Sequence, residues 1–237
     1  MPNPYFSFKQ FTVFHDKCAM KVGIDGVLLG AWANVANARK VLDIGTGTGL
    51  IALMIAQRCN ASIQAIDIEE SAIVQARENT SGSPWANRIK VQQMSLQEFT
   101  KSTTERFDLI VSNPPYFINS TKAPEESRNT ARHTDTLTHE ELVDQAILLL
   151  EPKGKLCIIL PVNEGIECVA YGKNKGLFCT NLVLVFPKPN VQAKRVLLEF
   201  SMEFAPKETD ELIIESDIRH RYSPEFTALA KDFYLKL

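Results

Sequence analysis

The chain has no long apolar run, no closely spaced pair of cysteines and no histidine spacing typical of a metal site. No stretch approaches the roughly 18 apolar residues of a membrane-spanning helix, and the first residues lack the basic and apolar regions of a signal peptide. The five cysteines are scattered, which favours reduced thiols. His133 and His139 do not share a helix face, and we therefore predict no metal. We expect a cytoplasmic protein without a membrane anchor.

Strand and helix patterns alternate from Lys40 onward. In 237 residues, of which 45% are hydrophobic and 23% charged, this alternation predicts one α/β domain with a Rossmann-like, doubly wound and mostly parallel sheet. We expect seven strands, of which the one from Val196 to Met202 is antiparallel. We expect residues 1–40 to form an N-terminal extension that packs on the ligand side of the sheet, and residues 41–237 to form the domain itself. A helical pattern from Gly23 to Val35 predicts either a helix across the ligand end of the sheet or a helix that covers the core.

Basic residues are clustered, although the net charge of −2 argues mildly against a nucleic-acid partner. Between Cys168 and Leu198 the sequence has five cationic residues and no acidic one. The basic residues of this part of the chain are Lys173, Lys175, Lys188, Lys194 and Arg195, followed later by Arg219, His220 and Arg221. Local charge determines the field that a phosphate backbone experiences, so these residues predict either an RNA contact or an ordinary solvated face.

A glycine-rich loop follows the first strand of the alternation. Its spacing, Gly45-x-Gly47-x-Gly49, differs from the G-x-G-x-x-G of dinucleotide-binding proteins. Asp43 precedes it, at a strand end where a cationic amino-acid group would be favoured and a pyrophosphate would not. Asp67 ends the next strand, where a carboxylate can accept hydrogen bonds from both hydroxyls of a ribose. The alternative interpretation is that both aspartates are ordinary turn residues.

The tetrapeptide Asn113-Pro114-Pro115-Tyr116 closes the fourth strand. An aromatic amine or amide nitrogen is a poor nucleophile because its lone pair is delocalised. The side-chain oxygen of Asn113 and the carbonyl oxygen of Pro114 could accept hydrogen bonds from the two hydrogens of such a nitrogen. The prolines would keep that carbonyl in place. Tyr116 could stack on a planar substrate. These residues therefore predict methyl transfer to a planar nitrogen, and the alternative is a simple Asn-Pro-Pro turn.

The glycine loop resembles that of the class I S-adenosylmethionine-dependent methyltransferases. In that family the loop holds the amino-acid end of the cofactor, and the acidic residue after the second strand holds the ribose. The resemblance assigns cofactor binding to Asp43, Gly45, Gly47, Gly49 and Asp67. The family often has an aspartate after the third strand, near the cofactor adenine. Ser95, followed by Leu96, stands at that place here, so a hydroxyl or backbone contact would replace the carboxylate.

The tetrapeptide resembles the N-P-P-Y motif of the adenine and glutamine N-methyltransferases, and Asn113, Pro114 and Tyr116 match it. The motif alone does not distinguish an adenine in DNA, an adenine in RNA or a glutamine of a release factor. Three further segments resemble the bacterial tRNA1(Val) (adenine(37)-N(6))-methyltransferase family. They are residues 14–32, residues 128–134, and the C-terminal residues 222–226 with 232–235. That family methylates the exocyclic amino group of the adenine beside the anticodon.

This resemblance implies contacts with an anticodon stem-loop. Arg128 and Arg132 lie in the long segment after the tetrapeptide, where they could hold the anticodon backbone, and Lys188, Lys194 and Arg195 could hold the stem. We expect no metal and no obligate protein partner. The alternatives are a glutamine N-methyltransferase acting on a translation release factor, a non-catalytic RNA-binding protein and a nicotinamide oxidoreductase. The glycine spacing disfavours the last of these.

Overall fold

An eight-stranded sheet forms the centre of the computed structural model, which describes residues 3–18, 21–115, 137–218 and 221–237. The strands in chain order are β1 (Tyr5–Ser7), β2 (Thr12–Phe14), β3 (Lys40–Ile44), β4 (Ser62–Asp67), β5 (Ile89–Gln93), β6 (Phe107–Ser112), β7 (Leu150–Pro161), β8 (Phe178–Phe186), β9 (Arg195–Ser201) and β10 (Glu208–Ile213). The first two strands form a separate antiparallel pair. The central sheet has the order β10-β8-β9-β7-β6-β3-β4-β5, with β9 antiparallel to both of its neighbours.

The predicted α/β architecture with a mostly parallel sheet and one antiparallel strand is confirmed. The predicted count of seven strands is one too low for the central sheet, because β10 adds an edge strand parallel to β8. Residues 208–211 of β10 are exposed, and only its last two residues are apolar. An edge strand of this kind has no apolar alternation, and the sequence pattern therefore does not reveal it.

Helices cover both faces of the sheet. In chain order they are α1 (Ile24–Trp32), α2 (Leu50–Arg58), α3 (Glu70–Ser81), α4 (Leu96–Ser102), α5 (His139–Leu149), α6 (Val162–Asn174) and α7 (Pro224–Ala230). One apolar core lies under α1, α2 and α7 and also contains side chains of β1, β2 and the segment between them. A second core lies under α4, α5 and α6. The layers are therefore those of a doubly wound fold.

Helix α1 is a core helix, which was one of the two interpretations open from the sequence. It packs along α2, and Val27, Leu28 and Leu29 are buried. A Cβ atom on Gly30 would lie 2.8 Å from Met54 Sδ. The absence of a side chain at this position therefore allows the two helices to approach closely.

Side-chain caps begin three of the described helices. Thr138 and Glu141 form the predicted capping box of α5, and the Ser223 hydroxyl accepts a hydrogen bond from the Phe226 amide at the start of α7. Ser95 and Glu98 form a second capping box at the start of α4, a helix that the sequence interpretation missed. Helix α6 was missed as well.

The described parts of the chain contain neither a membrane-spanning helix nor a candidate metal site. No helix in them is long and apolar enough to cross a membrane. They also contain no group of three or more histidine, cysteine, aspartate or glutamate side chains that could hold a metal ion.

Candidate functional site

The two loops that the sequence analysis singled out begin side by side at the carboxyl edge of the sheet. Strands β3 and β6 are parallel neighbours, and Ile44 pairs with Ser112 as the last residue of each. The Ser112 hydroxyl is buried and donates a hydrogen bond of 2.9 Å to the Ile44 carbonyl. The glycine loop leaves β3 at Gly45, and the Asn-Pro-Pro segment leaves β6 at Asn113. Both predicted elements of the site therefore start within one strand spacing of each other.

The glycine loop has a backbone that other residues adopt poorly. Gly45, Gly47 and Gly49 have φ angles of 68°, 56° and 82°, in the left-handed region. A Cβ atom added at Gly45 or Gly47 would meet nothing within 4 Å, whereas one at Gly49 would contact helix α3. The first two glycines are thus required by backbone conformation and leave open space beside the loop. Such a surface allows a ligand to approach the main chain closely.

Asp43 is a completely buried carboxylate beneath this loop. Its Oδ2 atom accepts hydrogen bonds from the Thr46 hydroxyl at 2.6 Å and from the Ala52 amide at 3.2 Å. Its Oδ1 atom is buried and has no partner among the described residues. Burial raises the pKa of Asp43 from 3.8 to about 7, an effect that the two hydrogen bonds reduce and the nearby charge of Asp67 increases. An unpartnered buried oxygen of this kind is suited to a cationic hydrogen-bond donor.

The side chain of Asp67, at the end of β4, accepts hydrogen bonds from the backbone of the glycine loop and from the backbone that follows β4. Its Oδ2 atom accepts a hydrogen bond from the Gly47 amide at 2.9 Å, and its Oδ1 atom accepts one from the Glu69 amide at 3.0 Å. The residue is only partly buried. Each carboxylate oxygen can accept a second hydrogen bond, so these contacts leave capacity for a ligand. The side chain thus links the glycine loop to the start of α3.

Ser95 and Leu96 follow β5, which is the neighbour of β4 and lies on the side of β4 away from β3. The Ser95 hydroxyl accepts a hydrogen bond from the Glu98 amide and donates one to the Glu98 carboxylate, which also accepts from the Ser95 amide. Leu96 is buried in the core under α4. Both residues therefore have a visible role at the start of α4, and their predicted contact with a ligand stays a prediction.

The described part of the predicted catalytic segment Asn113–Tyr116 ends at Pro115. Asn113 is partly buried, Pro114 is buried and Pro115 is exposed. Tyr116 lies outside the described residues, as do the predicted RNA-binding residues Arg128 and Arg132.

The three other predicted RNA-binding residues lie at the same edge of the sheet as the two loops. Lys188 and Lys194 belong to the connection between β8 and β9, and Arg195 begins β9 beside the end of β7. Lys188 forms an ion pair of 3.3 Å with Glu215, and Arg195 one of 2.9 Å with Asp25. Exposed pairs of the Lys188 kind contribute little to stability and can exchange partners. The pair of Arg195 is less exposed and joins β9 to the first turn of α1.

Two buried amide side chains of helix α3 were missed in the sequence analysis. Asn79 and Gln75 are 3% and 0% exposed, and both hydrogen-bond to backbone atoms of the N-terminal segment. Asn79 also donates to the carbonyl of Thr48 in the glycine loop. Their spacing of one helical turn in a mostly polar stretch gives no sequence signal that separates them from exposed residues.

Comparisons with known proteins agree on one class of enzyme. The model of the family described as Methyltransferase small domain matches residues 25–170. A tRNA1(Val) (adenine(37)-N6)-methyltransferase from Phocaeicola vulgatus is 52% identical over 237 residues, and one from Parabacteroides distasonis is 51% identical over 238 residues; each alignment covers 100% of both chains. Among solved structures, a predicted O-methyltransferase from Agrobacterium tumefaciens superimposes with a TM-score of 0.66 at 19% identity, covering 88% of this chain and 96% of the other. At that identity the likeness concerns the fold alone.

Proposed function

We propose that this chain, which belongs to the tRNA1(Val) (adenine(37)-N6)-methyltransferase family, methylates the exocyclic amino nitrogen of adenine 37, beside the anticodon of that tRNA. It is an S-adenosylmethionine-dependent tRNA adenine N6-methyltransferase. The observation that carries the assignment of the site is the pairing of Ile44 with Ser112 at the ends of β3 and β6. Because these two residues end adjacent strands, the segment suited to the methyl donor and the segment suited to the acceptor nitrogen begin next to each other.

The residues at the carboxyl edge fit the cofactor. We propose that Oδ1 of Asp43, which is buried without a partner among the described residues, accepts a hydrogen bond from the ammonium group of the methionine moiety. Gly45 and Gly47 present their main chain without an intervening side chain. Asp67 retains acceptor capacity for the ribose hydroxyls while its two present bonds fix its orientation. Ser95 and Leu96 complete the proposed cofactor-binding set.

Asn113 and Pro114 would act on the acceptor nitrogen. We propose that the Asn113 side-chain oxygen and the Pro114 carbonyl accept hydrogen bonds from the two amino hydrogens of adenine and turn its lone pair out of conjugation; the methylated nitrogen then loses one proton to water. S-adenosylmethionine, when bound, supplies a methyl group on a sulfonium whose positive charge disappears during transfer. The protein therefore needs alignment more than a strong base, and placement of reacting atoms about 3 Å apart can contribute several kcal/mol. Tyr116 would stack on the adenine ring.

Recognition of the tRNA would use the basic residues at the same edge. An adenine in an anticodon loop can leave the stack at lower cost than one in a duplex, and phosphate contacts then hold the loop. We propose Arg128 and Arg132 for the loop, and Lys188, Lys194 and Arg195 for the stem. Since Lys188 and Arg195 already have acidic partners, Lys194 is the strongest candidate among the latter three. A cytoplasmic location and the division into residues 1–40 and 41–237 are part of the same proposal.

Incubation with tRNA and an isotopically labelled methyl donor tests this function. We expect label in N6-methyladenosine after digestion of total bacterial tRNA to nucleosides, and loss of that product with Asn113→Ala. Asn87→Ala, at an exposed position in the short 3₁₀ helix Ala86–Arg88, is the matched control and should retain full activity. Label in a release-factor glutamine, with none in tRNA, would instead establish the alternative substrate. Steep weakening of substrate binding with added salt is expected for RNA alone.

A further inference from the structure

The side chain of Asn79 connects two segments that are distant in sequence. Its Oδ1 atom accepts a hydrogen bond from the Phe14 amide at 2.9 Å, and its Nδ2 atom donates to the Phe14 carbonyl at 2.9 Å. The same Nδ2 atom donates to the Thr48 carbonyl at 2.8 Å. One buried amide therefore holds the end of β2 and the glycine loop at once.

A second contact repeats this connection one helical turn earlier. Gln75 Oε1 accepts a hydrogen bond of 2.9 Å from the Lys17 amide, and the Lys17 ammonium pairs with Glu78 on the same helix. Residues 14–17 are thus attached to α3 along their length. An open surface depression of about 470 Å³ is lined by Lys17 and by residues at the start of α3, which follow Asp67 in the chain. The N-terminal segment is therefore anchored next to the strand end proposed to hold the ribose.

The glycine loop rests on the same helix. A Cβ atom on Gly49 would lie 3.5 Å from Ala76 and from Thr80, so the loop packs on the turn that carries Asn79. Asn79 donates a hydrogen bond to the Thr48 carbonyl, and Asp67 accepts one from the Gly47 amide. Two side chains thus hydrogen-bond to the backbone of the loop.

Asparagine is specifically suited to this position. The site requires one acceptor and two donors, and an amide supplies both kinds of group on one short side chain. Aspartate would place a carboxylate against the Phe14 and Thr48 carbonyls, and alanine would leave the amide and carbonyl of Phe14 and the buried carbonyl of Thr48 without the partner that Asn79 provides. The bonds do not contribute to apolar packing, so their principal effect is to set the positions of the two segments.

We propose that Asn79 is a positioning residue for S-adenosylmethionine, which ties residues 14–17 to the glycine loop and pre-organises the loop for the cofactor. This inference rests on the proposed cofactor site at Asp43–Gly49. A loop that must be ordered during binding lowers affinity by the cost of that ordering. By reciprocity, cofactor binding should also tighten the attachment of residues 14–17, although they lie outside the loop.

Calorimetric titration with S-adenosylhomocysteine tests the role of Asn79. For Asn79→Asp we expect Kd and the KM for S-adenosylmethionine to rise at least about tenfold, while kcat at saturating cofactor changes less than about threefold. A merely structural defect would reduce the active fraction, and hence kcat, at unchanged Kd. Asn60→Asp makes the same chemical change at an exposed position after α2 and should bind as the wild type does.

Gln75→Met provides a second variant in case Asn79→Asp does not fold. It keeps the side-chain length but removes the acceptor for the Lys17 amide, and it does not touch the glycine loop. We expect a Kd increase of about threefold and faster hydrogen exchange at the Lys17 amide. In the wild type, S-adenosylhomocysteine should slow exchange at the Phe14 and Lys17 amides.

The outcomes separate this inference from the assignment of the site. If the wild type fails to bind S-adenosylhomocysteine, the cofactor site itself is refuted, and this inference with it. If the wild type binds, but folded Asn79 and Gln75 variants bind equally well and show unchanged exchange, only the positioning role is refuted.

Discussion

Replacing Asp43 by asparagine should stabilise the free protein above neutral pH and weaken cofactor binding. Burial raises the folded-state pKa of Asp43 from 3.8 to about 7. The folded state therefore holds the proton more tightly than the unfolded state does. The stability this provides is present below pH 3.8 and is lost as the pH rises through about 7, at a total cost on the order of 4 kcal/mol. An amide at this position has no such ionisation cost.

A second contribution lowers the stability of the Asp43→Asn variant and opposes this gain. The amide oxygen of the introduced asparagine can still accept from Thr46 and Ala52, but its NH₂ group would replace the unpartnered Oδ1 and lack an acceptor, which costs about 1–3 kcal/mol. At pH 8 we therefore expect Asp43→Asn to gain at least about 1 kcal/mol, or about 2–4 °C in Tm. At pH 4.5, where the wild-type carboxyl is protonated, the variant should be the less stable protein.

Cofactor affinity should change in the opposite direction. Removing one partner of a buried charged hydrogen bond costs about 2 kcal/mol or more, which corresponds to at least about a 30-fold rise in Kd. In the wild type, the Kd should also rise about tenfold for each pH unit below about 7, because binding of the ammonium then requires Asp43 to ionise. Scanning calorimetry and titration with S-adenosylhomocysteine measure both effects.

An exposed carboxylate provides the control for the loss of one charge. Asp232 lies on the surface. For Asp232→Asn, the stability difference from the wild type should not change sign between pH 4.5 and pH 8, and the affinity for the cofactor should not fall. A lower Tm for Asp43→Asn at pH 8 would refute the raised pKa of Asp43, and an unchanged Kd would refute the assignment of the buried oxygen to the ammonium group.

Three other substitutions separate the roles proposed at the carboxyl edge. Asn113→Ala should lower kcat at least about 100-fold and leave the Kd for S-adenosylhomocysteine within about twofold, because an interaction made mainly in the transition state is removed; loss of tight binding with a normal rate would contradict this. Gly47→Ala should cost about 1–2 kcal/mol in unfolding free energy, since its φ of 56° is strained for alanine, and should raise Kd. Ser95→Ala should cost about 1 kcal/mol through loss of the α4 cap; a Kd change much larger than its stability change would support a direct cofactor contact.

The strongly patterned part of the fold was predictable from sequence. The apolar strands β3, β4 and β6 and the capping box at Thr138 each have a local signal that tertiary structure did not override. Helix α4 has a similar signal in the spacing of Ser95 and Glu98, but the sequence interpretation considered Ser95 only as a cofactor contact, and that contact stays a prediction. Strand β10 was not predictable, because its outer residues are exposed and its pairing with β8 is a tertiary property.

The sequence predicts which residues belong to the candidate site, an assignment that stays a prediction, but it does not predict the hydrogen bonds that connect them. The glycine spacing and the position of Asp67 follow from the chain itself. The bond from the Gly47 amide to Asp67 and those from Asn79 to Phe14 and Thr48 join residues far apart in sequence. Short polar side chains such as Asn79 are usually exposed, and only the packing of α3 identifies this one as buried.

The hydrogen bond from Ser112 to Ile44 has a consequence for how such enzymes diversify. Because it joins the last paired residues of two adjacent strands, it fixes how far apart the glycine loop and the Asn-Pro-Pro segment begin, independently of the segments proposed to bind the tRNA. A chimera that carries a relative's recognition segments on this sheet should therefore change its target without losing its chemistry.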